Sequence, residues 1–167
     1  QDTGAMDSRR SLSFAQWNSR ADGLAAGLLA QGLVPGDRVA VLAHNCIEWM
    51  EIYVALARAG LVALPLNFRL TGPEIAYILQ DARAAGLLST PVLQERVLEV
   101  LPPLGLRVKL QIGGPTVAGW LDYETLIGQA KVPAQWPQVK PSDTCALMYT
   151  SGTTGKPKGA IRSHEAK

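Results

Sequence analysis

Apolar and polar positions fall into blocks along the chain, and the blocks switch between two periods. Phe14, Trp17, Ala21, Leu24, Leu28 and Leu29 recur at helical spacing up to Gly32, behind a Ser13 to Gln16 stretch that fits a capping box. The spacing predicts an amphipathic helix. After a turn at Val34 to Asp37, the residues Arg38 to Ala43 (RVAVLA) make a short unbroken apolar run of the kind a strand buried on both faces requires. His44 to Gly60 then reads as a helix capped by Asn45 and stopped by Gly60, and Leu61 to Leu66 as a second apolar strand. Thr71 to Glu74 is another capping box, with Pro73 tolerated in the first turn, opening a helix through Asp81. The pattern continues with a strand at Ala85 to Thr90, a helix at Val92 to Leu101, a strand at Arg107 to Ile112 and a short helix at Asp122 to Ala130, capped by Asp122.

Apolar strands alternating with helices predict an α/β fold, a mostly parallel sheet with helices on both faces. Residues 8–130 would form one α/β subdomain. Lys131 to Asp143 carries Pro133, Pro137 and Pro141, which cannot sustain a helix and read as an extended linker. Thr144 to Thr150 (TCALMYT) is a further apolar strand, and residues 144–167 are read as the start of a second subdomain. No internal repeat accompanies the alternation.

Composition narrows the class. The chain has 167 residues, 47% of them hydrophobic and 18% charged, as expected of a soluble globular protein with a sizeable core. Sixteen basic and fourteen acidic residues leave a net charge of +2, which argues against nucleic acid or an anionic membrane as partner. Cys46 and Cys145 make no disulfide framework, and the two histidines and two cysteines lack zinc-site spacing, so no metal centre is expected. The longest apolar stretch, Ile52 to Leu66, is interrupted by Arg58 and Pro65, and the polar N-terminus has no apolar signal core. The expectation is a cytoplasmic protein without a transmembrane segment. Gln1 to Asp7 are set aside as a cloning remnant, and the chain is read as a piece of a longer one; oligomeric state leaves no mark in the sequence.

The chemistry concentrates in Tyr149 to Gly159, YTSGTTGKPKG. A loop of small residues after an apolar strand leaves backbone N–H groups free to approach anionic oxygens at the carboxyl end of a parallel sheet. Gly152 and Gly155 keep side chains out of the way, Ser151, Thr153 and Thr154 add hydroxyl donors, and Lys156 and Lys158 add positive charge. A surface turn would use the same small residues, but without this density of donors and cations. A Walker A loop is excluded because Pro157 stands where its Ser or Thr belongs and Thr150 where its first Gly belongs. A G-x-S-x-G nucleophile elbow fails too, since Tyr149 and Thr153 flank Ser151 at the glycine positions.

YTSGTTGKPKG resembles the signature loop of the adenylate-forming superfamily, which comprises acyl-CoA synthetases, nonribosomal peptide synthetase adenylation domains and firefly luciferase. Leu12 to Trp49 and Ala57 to Leu79 are similar to the family's upstream blocks, with two departures: Phe14 stands where the family usually has Tyr, and Trp17 where it has Leu. The resemblance implies the N-terminal part of an acyl-CoA synthetase-like large domain. It also implies a reaction in two steps, in which a carboxylate attacks the α-phosphate of MgATP and coenzyme A then displaces AMP. Thr150, Ser151, Gly152, Thr153, Thr154 and Gly155 would wrap the β- and γ-phosphates, with Lys156 adding charge and Lys158 directed partly toward local structure. Pro157 and Gly159 would shape the exit from the loop. The family's remaining active-site groups lie downstream of this loop, so no catalytic residue is assigned within the chain and the piece alone is expected to be inactive. Asn67, closing LPLN, favours the CoA-ligase branch. The alternatives are an adenylation domain that charges a carrier protein and a non-catalytic anion-binding α/β module.

Lesser signals read plainly. His44 is taken as a surface loop residue and Asn45 as a helix cap; His164 is left unassigned, because Ser163 to Glu165 could equally start a helix. Trp17, Trp49 and Trp120 are expected to pack in the core or against helices, and Trp136 to anchor the linker.

Overall fold

The unbroken apolar runs pair side by side. In the computed structural model, which describes residues 11–101, 104–150 and 156–166, β1 (Arg38–Leu42) pairs in parallel with β2 (Val62–Pro65) on one side and β3 (Ala84–Ser89) on the other. Beyond β3 lie β4 (Val108–Gln111) and a two-residue edge strand, β5 (Leu121–Asp122), both parallel. Beyond β2 come β6 (Thr144–Thr150), parallel to it, and β7 (Lys158–Ser163), antiparallel to β6. The order across the seven-stranded sheet is β5-β4-β3-β1-β2-β6-β7.

Side-chain alternation on the strands divides the core in two. Val39 and Val41 face one layer, built with Ala21, Leu24 and Leu28 of α1 (Phe14–Ala30), Ile52 and Leu56 of α2 (Glu48–Arg58), and Tyr123 of α5 (Tyr123–Gln129). Ala40 and Leu42 face the opposite layer, with Ile75, Ile78 and Leu79 of α3 (Gly72–Asp81) and Leu93 of α4 (Pro91–Gln94). Both faces of the central strands are therefore covered, as continuous apolar runs require. The α/β class and the mostly parallel sheet follow the sequence pattern.

Helix starts obey local hydrogen-bond chemistry in three places. The Ser13 hydroxyl accepts from the Gln16 N–H at 3.2 Å while the Gln16 amide oxygen accepts from the Ser13 N–H at 2.8 Å. The Glu74 carboxylate accepts from the Thr71 N–H and hydroxyl, both at 2.7 Å, and Asp122 accepts from the Thr125 hydroxyl and N–H, both at 2.7 Å. These bonds hold both carboxyls below their ordinary range.

Two expectations need correction, and one choice left open finds its answer. Asn45 does not cap α2: the helix starts three residues later, Ile47 occupies the cap position without a side-chain bond, and Glu48 and Glu51 in the first turn complement the exposed N–H groups instead. The helix expected at Val92 to Leu101 closes after one turn at Gln94 and continues as turns in which Val97 donates to Gln94 and Leu101 to Val97. Leu93, Val97 and Leu101 nevertheless keep their apolar spacing into the core, so the segment buries the expected face without a continuous helix. Ser163 to Glu165 starts no helix, since Ser163 ends β7 and His164 and Glu165 form a turn tied back to Asp143 and Pro141.

An ionic cluster ties the helices of the first layer. Glu51 is fully buried; its carboxylate accepts from Arg20 Nε at 2.7 Å, Arg20 Nη2 at 3.2 Å and the Tyr123 hydroxyl at 2.8 Å. The remaining edge of the Arg20 guanidinium meets Glu124 at 2.7 and 2.8 Å. Every polar atom of Glu51 thus has a partner contributed by α1 or α5, which is the condition for keeping a charge out of water. Arg58 of α2 likewise pairs with Asp22 and Asn18 of α1 and lies over the Trp136 ring, anchoring the proline-rich segment as expected.

Candidate functional site

The carboxyl end of β6 opens the candidate loop, and β7 receives it. Tyr149 is opposite Gly159 and Thr150 opposite Lys158, so β6 and β7 form an antiparallel ladder whose mouth is framed by Thr150, Lys158 and, just beyond the ladder, Lys156. All three are exposed. Ser151, Gly152, Thr153, Thr154 and Gly155 lie outside the described residues. Parallel pairing of β6 with β2 puts this mouth on the same side of the sheet as the carboxyl ends of β1 and β2. Two lysine ammonium groups and a hydroxyl at that edge bring positive charge and hydrogen-bond donors without a carboxylate, a set chemically fit for a polyphosphate.

β7 itself was not foreseen. Lys158 to Ser163 alternates charge, glycine and single apolar residues without a clean period, and Ile161 is 74% exposed, so neither pattern nor burial advertises a strand. Gly159 leaves room for its cross-strand neighbours. A β-carbon there would lie 3.0 Å from Leu147 Cδ1 and 3.2 Å from the Tyr149 ring, so its absence lets that ring lie across the ladder.

The flanks of the loop are held from α3. The Tyr149 hydroxyl donates to Asp81 at 2.5 Å, and the Lys156 ammonium lies 5.3 Å from the centre of the Tyr77 ring. Partial burial, with Asp81 second, pushes the Tyr149 hydroxyl above its ordinary range. Sequence reading passed over Tyr77 and Asp81 because both sit inside an ordinary amphipathic helix. The one available signal was an acidic residue in the last turn of a helix, where the backbone dipole disfavours it.

The other candidates take structural places. His44 is exposed with its ring 4.7 Å from that of Phe68, and its carbonyl accepts from Trp49 Nε1 at 3.0 Å. Trp120 is buried against the α3 layer, and Trp17 and Trp49 are partly covered. A cavity of about 510 Å³ lies at the far end of the sheet, where Gly36 and Gly60 precede β1 and β2 and Thr144 opens β6; none of Thr150, Lys156 and Lys158 lines it. Among the described residues no group of three or more His, Cys, Asp or Glu comes together to hold a metal, and no helix is long and apolar enough to cross a membrane.

Residues 1–166 match the family model described as AMP-binding enzyme. The chain belongs to that family. It is 41% identical over 153 residues to a feruloyl-CoA synthase of an Amycolatopsis species, covering 92% of this chain and 28% of that protein. Similarity to the long-chain-fatty-acid–CoA ligase FadD13 of Mycobacterium tuberculosis is 35% over 162 residues, covering 93% of this chain and 30% of the relative. Among solved structures, the anthranilate CoA ligase AuaEII, crystallised with anthranoyl-AMP, superposes with a TM-score of 0.87 at 28% identity, over 95% of this chain and 31% of that one. The chain thus spans about three-tenths of the length of these relatives, and the shared part is the beginning of an acyl-CoA ligase large domain.

Proposed function

We propose that this chain is the N-terminal, phosphate-gripping part of an AMP-forming carboxylic acid–CoA ligase. A carboxylate oxygen of the substrate forms a bond to the α-phosphorus of ATP while the bond to pyrophosphate breaks. The thiol of coenzyme A then forms a thioester with the acyl carbon and releases AMP. The observation that carries this reading is the hairpin mouth, where Thr150, Lys156 and Lys158 converge at the carboxyl edge of a parallel sheet. Negative charge grows on the departing pyrophosphate, and preorganised donors placed there stabilise it without reorganising.

Within this reading Thr150, Ser151, Gly152, Thr153, Thr154 and Gly155 wrap the β- and γ-phosphates, Lys156 adds charge beside them, and Lys158 divides its role between phosphate and hairpin. Magnesium would be carried on the phosphates of the nucleotide, since these residues offer donors rather than carboxylate ligands. The unit beginning at residue 144 is the nucleotide-facing part, reached through the proline-rich segment at 131–143, and the enzyme works in the cytoplasm.

The test is carboxylate-dependent exchange of labelled pyrophosphate into ATP by the full-length protein that carries this chain, over a panel of aliphatic and aromatic acids. Exchange with at least one acid, followed by thioester formation when coenzyme A is added, is expected. No exchange with any acid would leave an anion-binding module. Exchange without transfer to coenzyme A, but with transfer to a carrier protein, would place the chain in the other branch.

A further inference from the structure

Tyr77 and Asp81 stand four residues apart on α3, so they share one face of the helix. Each touches one end of the same loop. Asp81 accepts from the Tyr149 hydroxyl at 2.5 Å, one residue before Thr150, and the Tyr77 ring carries the Lys156 ammonium at 5.3 Å, one residue after Gly155. The Tyr77 and Tyr149 rings rest partly against the α3-side core, but the groups they engage, Asp81 and Lys156, are exposed, and the buried face of α3 is supplied by Ile75, Ile78 and Leu79. Asp81 also sits in the last turn of α3, without a basic residue beside it in that turn, where a helix C-terminus repels negative charge. A residue that breaks a local rule calls for a compensating contact, and the one present here is the strand leading into the loop.

We propose that α3 is the positioning platform of the phosphate loop, with Asp81 fixing its entry through Tyr149 and Tyr77 holding Lys156 ready at its exit. The assignment rests on the phosphate-loop reading above. A lysine side chain free in water has many rotamers to lose when it engages a phosphate. One already resting on an aromatic face has lost part of that freedom, and its ammonium still has its other side open to an anion. Tyr77 and Asp81 are thus positioning residues that act through Lys156 and Tyr149 and need not touch nucleotide themselves.

The experiment is pyrophosphate exchange by the full-length protein, with KM for MgATP and kcat measured separately at saturating acid. Tyr77→Leu raises KM for MgATP about two- to fivefold, the factor a cation–π contact at an exposed site is worth, with kcat changed less than about twofold. Tyr77→Phe keeps the ring and restores KM. In a Lys156→Ala background Tyr77→Leu has no further effect, because the side chain it positions is gone. Asp81→Asn and Tyr149→Phe each raise KM, and together no more than either alone, which carries the test should Tyr77→Leu fail to fold. Unchanged KM in all the single variants, with wild-type exchange intact, overturns the platform and spares the ligase reading. Additive effects of Tyr77→Leu and Lys156→Ala, or of Asp81→Asn and Tyr149→Phe, overturn it as well. Absence of exchange in the wild type overturns both.

Discussion

The centre of the sheet and its β6–β7 edge are built on opposite terms. At the centre, Val39, Ala40, Val41 and Leu42 of β1 are fully buried between two helical layers, and the fully buried carboxylate of Glu51 has both oxygens hydrogen-bonded to Arg20 or Tyr123. At the edge, β7 is exposed along nearly its whole length, with Lys158 and Arg162 on it and Lys156 just before it. The centre holds the fold, and the edge holds groups that must stay accessible to a charged ligand. A strand that carries chemistry gains its rigidity from specific tethers, here Tyr149 to Asp81 and Lys156 to Tyr77, because it has little apolar surface to bury.

Substitutions at the two regions sharpen the contrast. The largest effect is expected for Glu51→Ala, which leaves a partly buried Arg20 and the Tyr123 hydroxyl without their shared acceptor; a loss of about 3–5 kcal/mol should appear as a large fall in the urea midpoint of unfolding. Gly23→Ala tests the helix packing. Its β-carbon would lie 2.8 Å from the Ile127 carbonyl oxygen, a backbone atom of α5 that cannot turn aside. The gain of about 1 kcal/mol in helix propensity is therefore reversed into a net loss of about 1–2 kcal/mol, read from the same curve.

A smaller effect is expected in alkali. Burial, and next a hydrogen bond with Glu48, push the Cys46 thiol up to about 11 from its ordinary 9.0. An acid whose folded value is raised contributes stability that is complete below the unfolded value and disappears as pH climbs through the folded one. The thermal midpoint should accordingly fall between pH 9 and 11, and less steeply in Cys46→Ala. The smallest effect belongs to the edge: Ile161→Ser, at a residue 74% exposed, should change stability by less than about 0.5 kcal/mol. A loss comparable to that of Glu51→Ala would erase the distinction between the regions.

What the sequence revealed differs between them as well. The central strands were legible because strands covered on both faces are apolar without interruption, and the caps at Ser13, Thr71 and Asp122 because their chemistry is local. Gly23 and Gly27 were opaque. Each weakens a helix by propensity alone, and only the approach of Ile127 and Leu126 of α5 explains them. β5 escaped notice because two residues carry no period, and β7 because an exposed edge strand need not alternate. At the candidate site the loop announced itself by density of small residues and lysines. Tyr77 and Asp81, far from it in sequence, could be joined to it only by folding.

The claim that the hairpin mouth grips phosphate while the centre holds the fold is met most directly by one double variant, Thr153→Ala with Lys156→Ala, in the full-length protein. Its kcat/KM for MgATP in pyrophosphate exchange should fall by about a hundredfold, the worth of losing donors to a developing charge, with the thermal transition unmoved. Exchange at the wild-type rate, or disappearance of the thermal transition, would contradict it.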